Sequence, residues 1–241
     1  MDATRQIVLA RQLLMMGDAM STLRPKFVTF DCYGTLINFE MGPAARRVYG
    51  ARLSPEVMNG FCESFRGFRL DEVLGAWKPF IEVVHNSVER SCKAWKITFD
   101  PADAQAIYDE IPSWSPHPDV PAGLAKVARE FPLVILSNSM KELIPHSVVK
   151  LGAPFHAAYT AEEAQAYKPR LQAFEYMFDM LGCGPEDVVH CSSSLRYDLM
   201  SAYDLKIGQR VFVNRGHEPG IPAYGYHEIK DIGGLPGLLG L

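Results

Sequence analysis

Two rhythms of hydrophobic and polar positions divide the chain. Between residues 43 and 110 apolar side chains recur three or four apart: Val57, Phe61, Phe65 and Phe68, then Leu74, Trp77, Ile81, Val84 and Val88. That spacing lines one face of a helix. Pro55 and Pro79 punctuate the stretch. Asp100-Pro101 has the form of a helix start, with Asp as the cap and Pro in the first turn. No strand pattern interrupts it, so the region predicts several helices and nothing else. Elsewhere short apolar runs alternate with amphipathic ones. Strands are predicted at 27–30, 131–136, 157–160, 188–191 and 210–213. Helices are predicted at 120–130, 141–151, 171–181 and 197–205. Such alternation implies an α/β fold with a parallel sheet and right-handed crossovers. The Gly- and Pro-rich stretch after residue 216 is expected to wrap the surface. Residues 1–25 precede the first strand. Within them, 6–16 is compatible with a short helix, no clean secretion cleavage site is visible, and Met20 is an alternative start.

Composition narrows the class. With 241 residues, 48% of them hydrophobic, the chain can bury one large core, or a core and a smaller insert. A net charge of −4 offers no basic field for nucleic acid. No apolar run is long enough to cross a membrane. The five cysteines, Cys32, Cys62, Cys92, Cys183 and Cys191, are odd in number and contain no C-x-x-C pair. They read as reduced thiols, and the expected location is cytoplasmic. No His, Cys and Asp spacing suggests a metal site.

The candidate chemistry gathers at strand ends. Phe27-Val28-Thr29-Phe30 runs directly into Asp31, and Gly34 follows in a turn. Ser137 and Asn138 end the second predicted strand. Lys168 lies after the third, and Ser193, Ser194 and Asp198 follow the fourth. In an open parallel sheet ligands bind at the carboxyl ends of the strands, so one rim would collect all four clusters. Strand alternation turns Cys32 away from Asp31. His190, inside a predicted strand, reads as a packed core residue.

Taken together these four clusters resemble the motifs of the haloacid dehalogenase superfamily. Asp31-Cys32-Tyr33-Gly34-Thr35-Leu36 is similar to the first, Leu136-Ser137-Asn138-Ser139 to the second, Tyr167-Lys168-Pro169 to the third, and Ser192 through Asp198 to the fourth. The resemblance implies a Rossmann-like parallel sheet core (26–42 and 112–241), a helical cap inserted at 43–111, and an N-terminal extension of 1–25. Phosphatases of the superfamily carry a second Asp two residues after the first and an Asp in the fourth motif that helps to hold magnesium. Here those positions are Tyr33 and Ser193. Tyrosine ionises near pH 10, poorly matched to proton shuttling at neutral pH, and magnesium favours carboxylates. Both departures resemble the L-2-haloacid dehalogenases, which need no metal or cofactor.

That resemblance implies roles. Asp31 would be the nucleophile, ionised at neutral pH without a base. Lys168 would hold it ionised, with Thr35 beside it. Asp198, with Lys168 and Ser193, would orient or deprotonate the water that hydrolyses the ester left on Asp31. Ser137 would bind the substrate carboxylate, and Asn138 would contact the departing halide. On the cap, Phe65-Arg66 and Leu70 resemble the family's aromatic–Arg pair and pocket leucine, making Arg66 the halide donor; Arg69 lies one helical turn on. Tyr33, Ser194 and Tyr197 would complete the pocket. The fourth motif departs from the family's Ser-Ser-Asn: the Asn is absent, and Asp198 stands four residues after Ser194, one more than expected. The implied partners are a small 2-haloacid and a halide ion, with no nucleic acid and no membrane. The implied assembly is a homodimer. Two other readings stay open: a magnesium-dependent phosphatase of small phosphomonoesters, and a non-catalytic binding protein on the same fold.

Overall fold

The apolar runs become strands because helices flank the sheet, leaving its central strands buried. The computed structural model describes residues 24–241. The expected extension of 1–25, with its helix at 6–16, lies almost wholly outside the described residues. The strands are β1 (Phe27–Phe30), β2 (Leu133–Ser137), β3 (Ala157–Thr160), β4 (Val188–Ser192), β5 (Gln209–Val213) and β6 (His227–Ile229). They form one sheet in the order β3-β2-β1-β4-β5-β6, every pairing parallel. β1 is central. Its Thr29 stands level with Val134 of β2 and His190 of β4. Parallel register therefore brings the residues just beyond β1, β2 and β4 to one rim.

Between β1 and β2 the chain forms α1 (Met41–Tyr49), α2 (Pro55–Leu74), α3 (Phe80–Trp95) and α4 (Pro101–Asp109). Their starts follow from local chemistry. The Ser54 hydroxyl accepts from the Val57 amide ahead of Pro55, and Asp100 accepts from the Ala102 amide ahead of Pro101. Phe61 and Phe65 of α2 and Val83, Val84 and Val88 of α3 are buried, as the helical spacing predicts. Gly60 lets the two helices close: a Cβ there would lie 2.0 Å from the Trp95 ring. α5 (Val120–Val127), α6 (Ile144–Val148), α7 (Ala161–Ala164), α8 (Leu171–Leu181) and α9 (Met200–Asp204) complete the layers. α6 is shorter than the predicted 141–151. Pro145 lacks an amide hydrogen, and starting at Ile144 keeps it in the first turn, where that donor is not needed.

The segment after residue 216 corrects the expectation of a surface wrap. It supplies β6, the sixth strand, and a short helix α10 (Leu235–Leu238). Ile232, Leu235 and Leu239 are fully buried. Ile232 packs so closely on α5 that a Cβ at Gly123 would lie 2.8 Å from it. A side-chain fork fastens the segment. Arg215 donates to both carboxylate oxygens of Asp119, at 2.8 and 2.9 Å, and to the Thr35 carbonyl at 2.9 Å. Asp119 also accepts from the Ile232 amide at 2.8 Å.

Arg215→Ala would strand the Asp119 carboxylate and the Thr35 carbonyl. We expect a loss on the order of 3 kcal/mol, seen as a lower urea midpoint. Arg215→Lys should recover only part of it, because an ammonium cannot reproduce the planar fork. An unchanged midpoint for Arg215→Ala would mean that the fork does not hold the segment.

Candidate active site

Asp31 sits one residue past β1, its amide still in the ladder on the Cys191 carbonyl at 3.1 Å. The chain then reverses. The Leu36 and Ile37 amides donate to the Cys32 carbonyl, and Gly34 takes φ +97°, a conformation that suits a residue without Cβ. The turn brings the Thr35 hydroxyl back to donate to Asp31 Oδ2 at 2.7 Å. Thr35 Oγ1 in turn accepts from the Ser193 amide at 2.8 Å, joining the first loop to the fourth.

Lys168 is buried, and its ammonium has three acceptors for three protons: Asp31 Oδ1 at 2.9 Å, Asp198 Oδ1 at 2.6 Å and the Leu136 carbonyl at 2.7 Å. Asn138 fixes the backbone behind it. Its Oδ1 accepts from the Lys168 amide at 2.7 Å, and its Nδ2 donates to the Lys168 carbonyl at 2.8 Å. The Asn138 amide is thus engaged in holding Lys168. Ser137 differs: its hydroxyl is buried without a partner and lines the cavity, a free donor.

Asp198 is fully buried. The longer fourth loop is absorbed as a π turn over Leu195–Leu199, in which the Leu199 amide donates five residues back to the Ser194 carbonyl. Ser194 Oγ caps it, accepting from the Tyr197 amide at 3.1 Å. Asp198 Oδ1 receives both Lys168 and, at 3.0 Å, His190 Nε2, whereas Oδ2 has no partner. His190 is therefore more than the packed core residue its strand position suggests. The signal for it was a pair of polar residues, Thr29 and His190, on adjacent central strands, and it becomes readable only once the register is known.

These groups open on a cavity of about 530 Å³. Asp31, Tyr33, Arg66, Leu70, Ser137, Asn138, Lys168, Ser193, Ser194, Tyr197 and Asp198 all line it; Thr35 lies behind Asp31. Part of the wall is aromatic, from Tyr33, Phe39, Phe80, Trp114 and Tyr197. Tyr33 and Phe39 both stack edge-on against Trp114, and the Tyr33 hydroxyl accepts from Ser147 Oγ at 3.0 Å. The two arginines of α2 differ. Arg66 is half-exposed and 3.6 Å from Glu218. Arg69 is buried between the Phe39 and Phe65 rings, with only its Nε spent, on the Phe65 carbonyl.

The electrostatics separate the two carboxylates. Burial and the nearby Asp198 charge lift the Asp31 carboxyl above its ordinary value of 3.8, although Lys168 and Thr35 pull it back. Burial also works against the Asp198 charge, but Lys168 and His190 outweigh it and hold that carboxyl below its ordinary value. Burial pushes the Tyr33 phenol up to about 12, so it is a poor proton donor near neutrality. Magnesium at such a site would take carboxylate oxygens. Here both carboxylates already share one ammonium, and Ser193 stands where another could be. Among the described residues no three His, Cys, Asp or Glu side chains converge on a metal position. A magnesium ion here would meet two carboxylates that the Lys168 ammonium already engages. What the site offers is an oriented carboxylate, a second one with a free oxygen, and a cavity with cations on its opposite wall.

A family model for haloacid dehalogenase-like hydrolases matches residues 25–203. The chain is 26% identical over 172 residues to haloacetate dehalogenase H-2 of Moraxella sp. (strain B), covering 69% of this chain and 76% of that one. Its fold is similar to that of the L-2-haloacid dehalogenase of Xanthobacter autotrophicus with chloropropionic acid covalently bound. The TM-score is 0.73 at 19% identity, over 90% of this chain and 98% of that one. A Bacillus subtilis HAD-hydrolase bound to magnesium is also similar, with a TM-score of 0.78 at 17% identity, over 91% and 100% of the two chains. These structural likenesses carry the fold and do not choose between the two chemistries.

A carboxylate acts as a nucleophile only when ionised, and Asp31 is the candidate here. Reactivity should therefore fall as pH drops through its raised value, placing the acid limb above 3.8. The profile of kcat/KM for halide release reports this group in the free enzyme. A limb at or below the free aspartate value would show that Asp31 is not held in this way.

Proposed function

The chain belongs to the haloacid dehalogenase-like hydrolases, and on that premise we propose that it hydrolyses short-chain 2-haloalkanoic acids to 2-hydroxy acids through an ester on Asp31. The observation that carries this reading is the pair of carboxylates on one ammonium. Asp31 is held by Lys168 and Thr35 facing the cavity, and Asp198 keeps one oxygen free. Tyr33, its hydroxyl turned to Ser147, stands where a phosphatase needs an acid.

In this reading the helical insert, residues 43–111, is a cap over the core of 26–42 and 112–241. Ser137 Oγ, buried and unpartnered, donates to the substrate carboxylate. An Asp31 oxygen attacks the α-carbon from behind, the carbon–halogen bond breaks, and the halide leaves towards Arg66. Water then attacks the Asp31 carboxyl carbon and yields a proton to Asp198 Oδ2. The tetrahedral adduct collapses, the carboxyl–alkoxy bond breaks, and the alkoxide takes the proton back from Asp198. Asp31 retains the other water proton and loses it to solvent. Because the α-carbon is attacked once, L-2-halopropionate should give D-lactate. Asn138 serves this scheme by bracing Lys168, since its amide is engaged there.

The decisive test is a single turnover in H₂¹⁸O with enzyme in excess and EDTA present. Unlabelled product hydroxyl, followed by label in Asp31, is the expected outcome. Label in the first product would mean that water attacks the α-carbon directly. Halide release that needs added Mg²⁺, or turnover of p-nitrophenyl phosphate instead of haloacetates, would return the protein to the phosphatase chemistry.

Arg66 would stabilise charge that develops only as the halide departs. Arg66→Ala should lower kcat by about 10²–10³-fold with the fold intact by circular dichroism. A near-normal Arg66→Ala beside a crippled Arg69→Ala would move the halide site one turn deeper, to the guanidinium between Phe39 and Phe65.

A further inference from the structure

His190 is a fully buried, titratable side chain that the scheme above leaves without work. Its surroundings define its protonation pattern. The Asp198 carboxylate accepts and cannot donate, so Nε2, 3.0 Å from Oδ1, must carry a hydrogen. In the neutral ring Nδ1 is then an acceptor. The group beside it is the Thr29 hydroxyl, at 2.8 Å, closer than that hydroxyl stands to its other acceptor, the Val189 carbonyl at 3.2 Å. Asp198 thus selects the Nε2–H tautomer, and the Thr29 hydroxyl can donate to the Nδ1 that this leaves as an acceptor. Phe174 of α8 closes the ring in, edge-on, with centroids 5.1 Å apart. Thr29 and His190 are level in the sheet, so two central strands fix the ring in place.

The consequence falls on Asp198. Oδ1 is held from two directions, by Lys168 and by His190, and a carboxylate pinned at one oxygen cannot rotate. Oδ2 is consequently fixed, unpartnered and buried, on a residue that lines the cavity. Lys168 alone gives Oδ1 a single donor, from an ammonium that is shared with Asp31. His190 touches neither Asp31 nor Lys168 among the hydrogen bonds of the site; its one link to the chemistry is Asp198.

We propose that His190 is a positioning residue for the second half of the reaction. It clamps Asp198 Oδ1 so that Oδ2 meets the water that cleaves the Asp31 ester, and Thr29 braces the ring from its Nδ1 side. The inference rests on the ester route proposed above. It separates the two half-reactions, because ester formation needs Asp31, Lys168 and Thr35, none of which bonds to His190. Removing the clamp slows ester hydrolysis and leaves the first halide release nearly untouched.

The test is rapid-mix halide release from chloroacetate, with intact mass of the quenched protein, on the full chain. His190→Leu should release one halide per site at close to the native rate, then turn over at least about tenfold more slowly, within the 10²–10⁴ that a general base supplies. The quenched protein should carry a carboxymethyl group. His190→Gln can again offer an N–H to Oδ1 and should recover much of the second phase. Thr29→Val, nearly isosteric, should slow the same phase less and serves if His190→Leu does not fold. Asp198→Asn is the reference that stops ester hydrolysis. If Asp198→Asn accumulates ester and neither His190→Leu nor Thr29→Val does, the inference fails and the ester route stands. The inference fails equally if both phases fall together, or if Gln restores nothing. If Asp198→Asn itself traps no ester and first-turnover product carries solvent oxygen, the ester route fails.

Discussion

One ammonium group holds the site together. Lys168 is buried, and an isolated charge there would cost several kcal/mol. Its three protons meet two carboxylates and a strand carbonyl, so the charge is tolerated only in this arrangement. The three acceptors come from the end of β1, from β2 and from the fourth loop. Any displacement of those elements would leave an unpaired charge in the interior, which is why Asn138 clamps the lysine backbone from both sides. The same ammonium faces two negative groups, and one positive charge cannot fully satisfy both. The cluster resolves the excess by splitting them: Asp31 is raised, whereas Asp198, with His190 as well, is lowered. Two carboxylates driven apart in this way are suited to different tasks.

The sheet and the helical insert were legible because they rest on periodicity, which a single sequence displays. The rim was legible because Asp31, Ser137 and Ser193 each follow a run of apolar residues, and parallel register gathers such endings. The extra residue before Asp198 was visible as a count, although only the backbone reveals that a π turn takes it up. The tail was misread because Gly and Pro dilute the pattern. Ile232, Leu235 and Leu239 have helical spacing, but they stand among residues that signal loops. His190, rightly placed in the core, was read only in part for a different reason. Alternation within β4 says only that it is buried, and its partners come from β1 and from a loop eight residues further on. Contacts of that kind are set by register, which no local pattern encodes.

The fold leaves the chemistry open. The chain is about as similar in shape to a magnesium-bound hydrolase as to a dehalogenase with a covalently bound substrate. Two side chains bear the distinction. At Tyr33 a short acid gives way to a phenol that packs against Trp114 and hydrogen-bonds to Ser147. At Ser193 a carboxylate gives way to a residue whose amide supports Thr35. Tyr33 makes an acid's position into a piece of the wall, and Ser193 offers a hydroxyl where a carboxylate could stand, so a hard cation would find fewer carboxylate oxygens.

The Arg215 fork has a bearing on the order in which the site is assembled. The guanidinium that fastens the C-terminal segment to Asp119 also grips the carbonyl of Thr35, whose hydroxyl rests on Asp31. The contact between Thr35 and Arg215 spans 180 residues, so Asp31 leaves a ribosome well before Arg215, β6 and the buried Ile232. A nascent chain can therefore lay down the central strand and its neighbours while the loop around Asp31 still lacks its brace. The brace on that loop has to wait until Arg215 has been made.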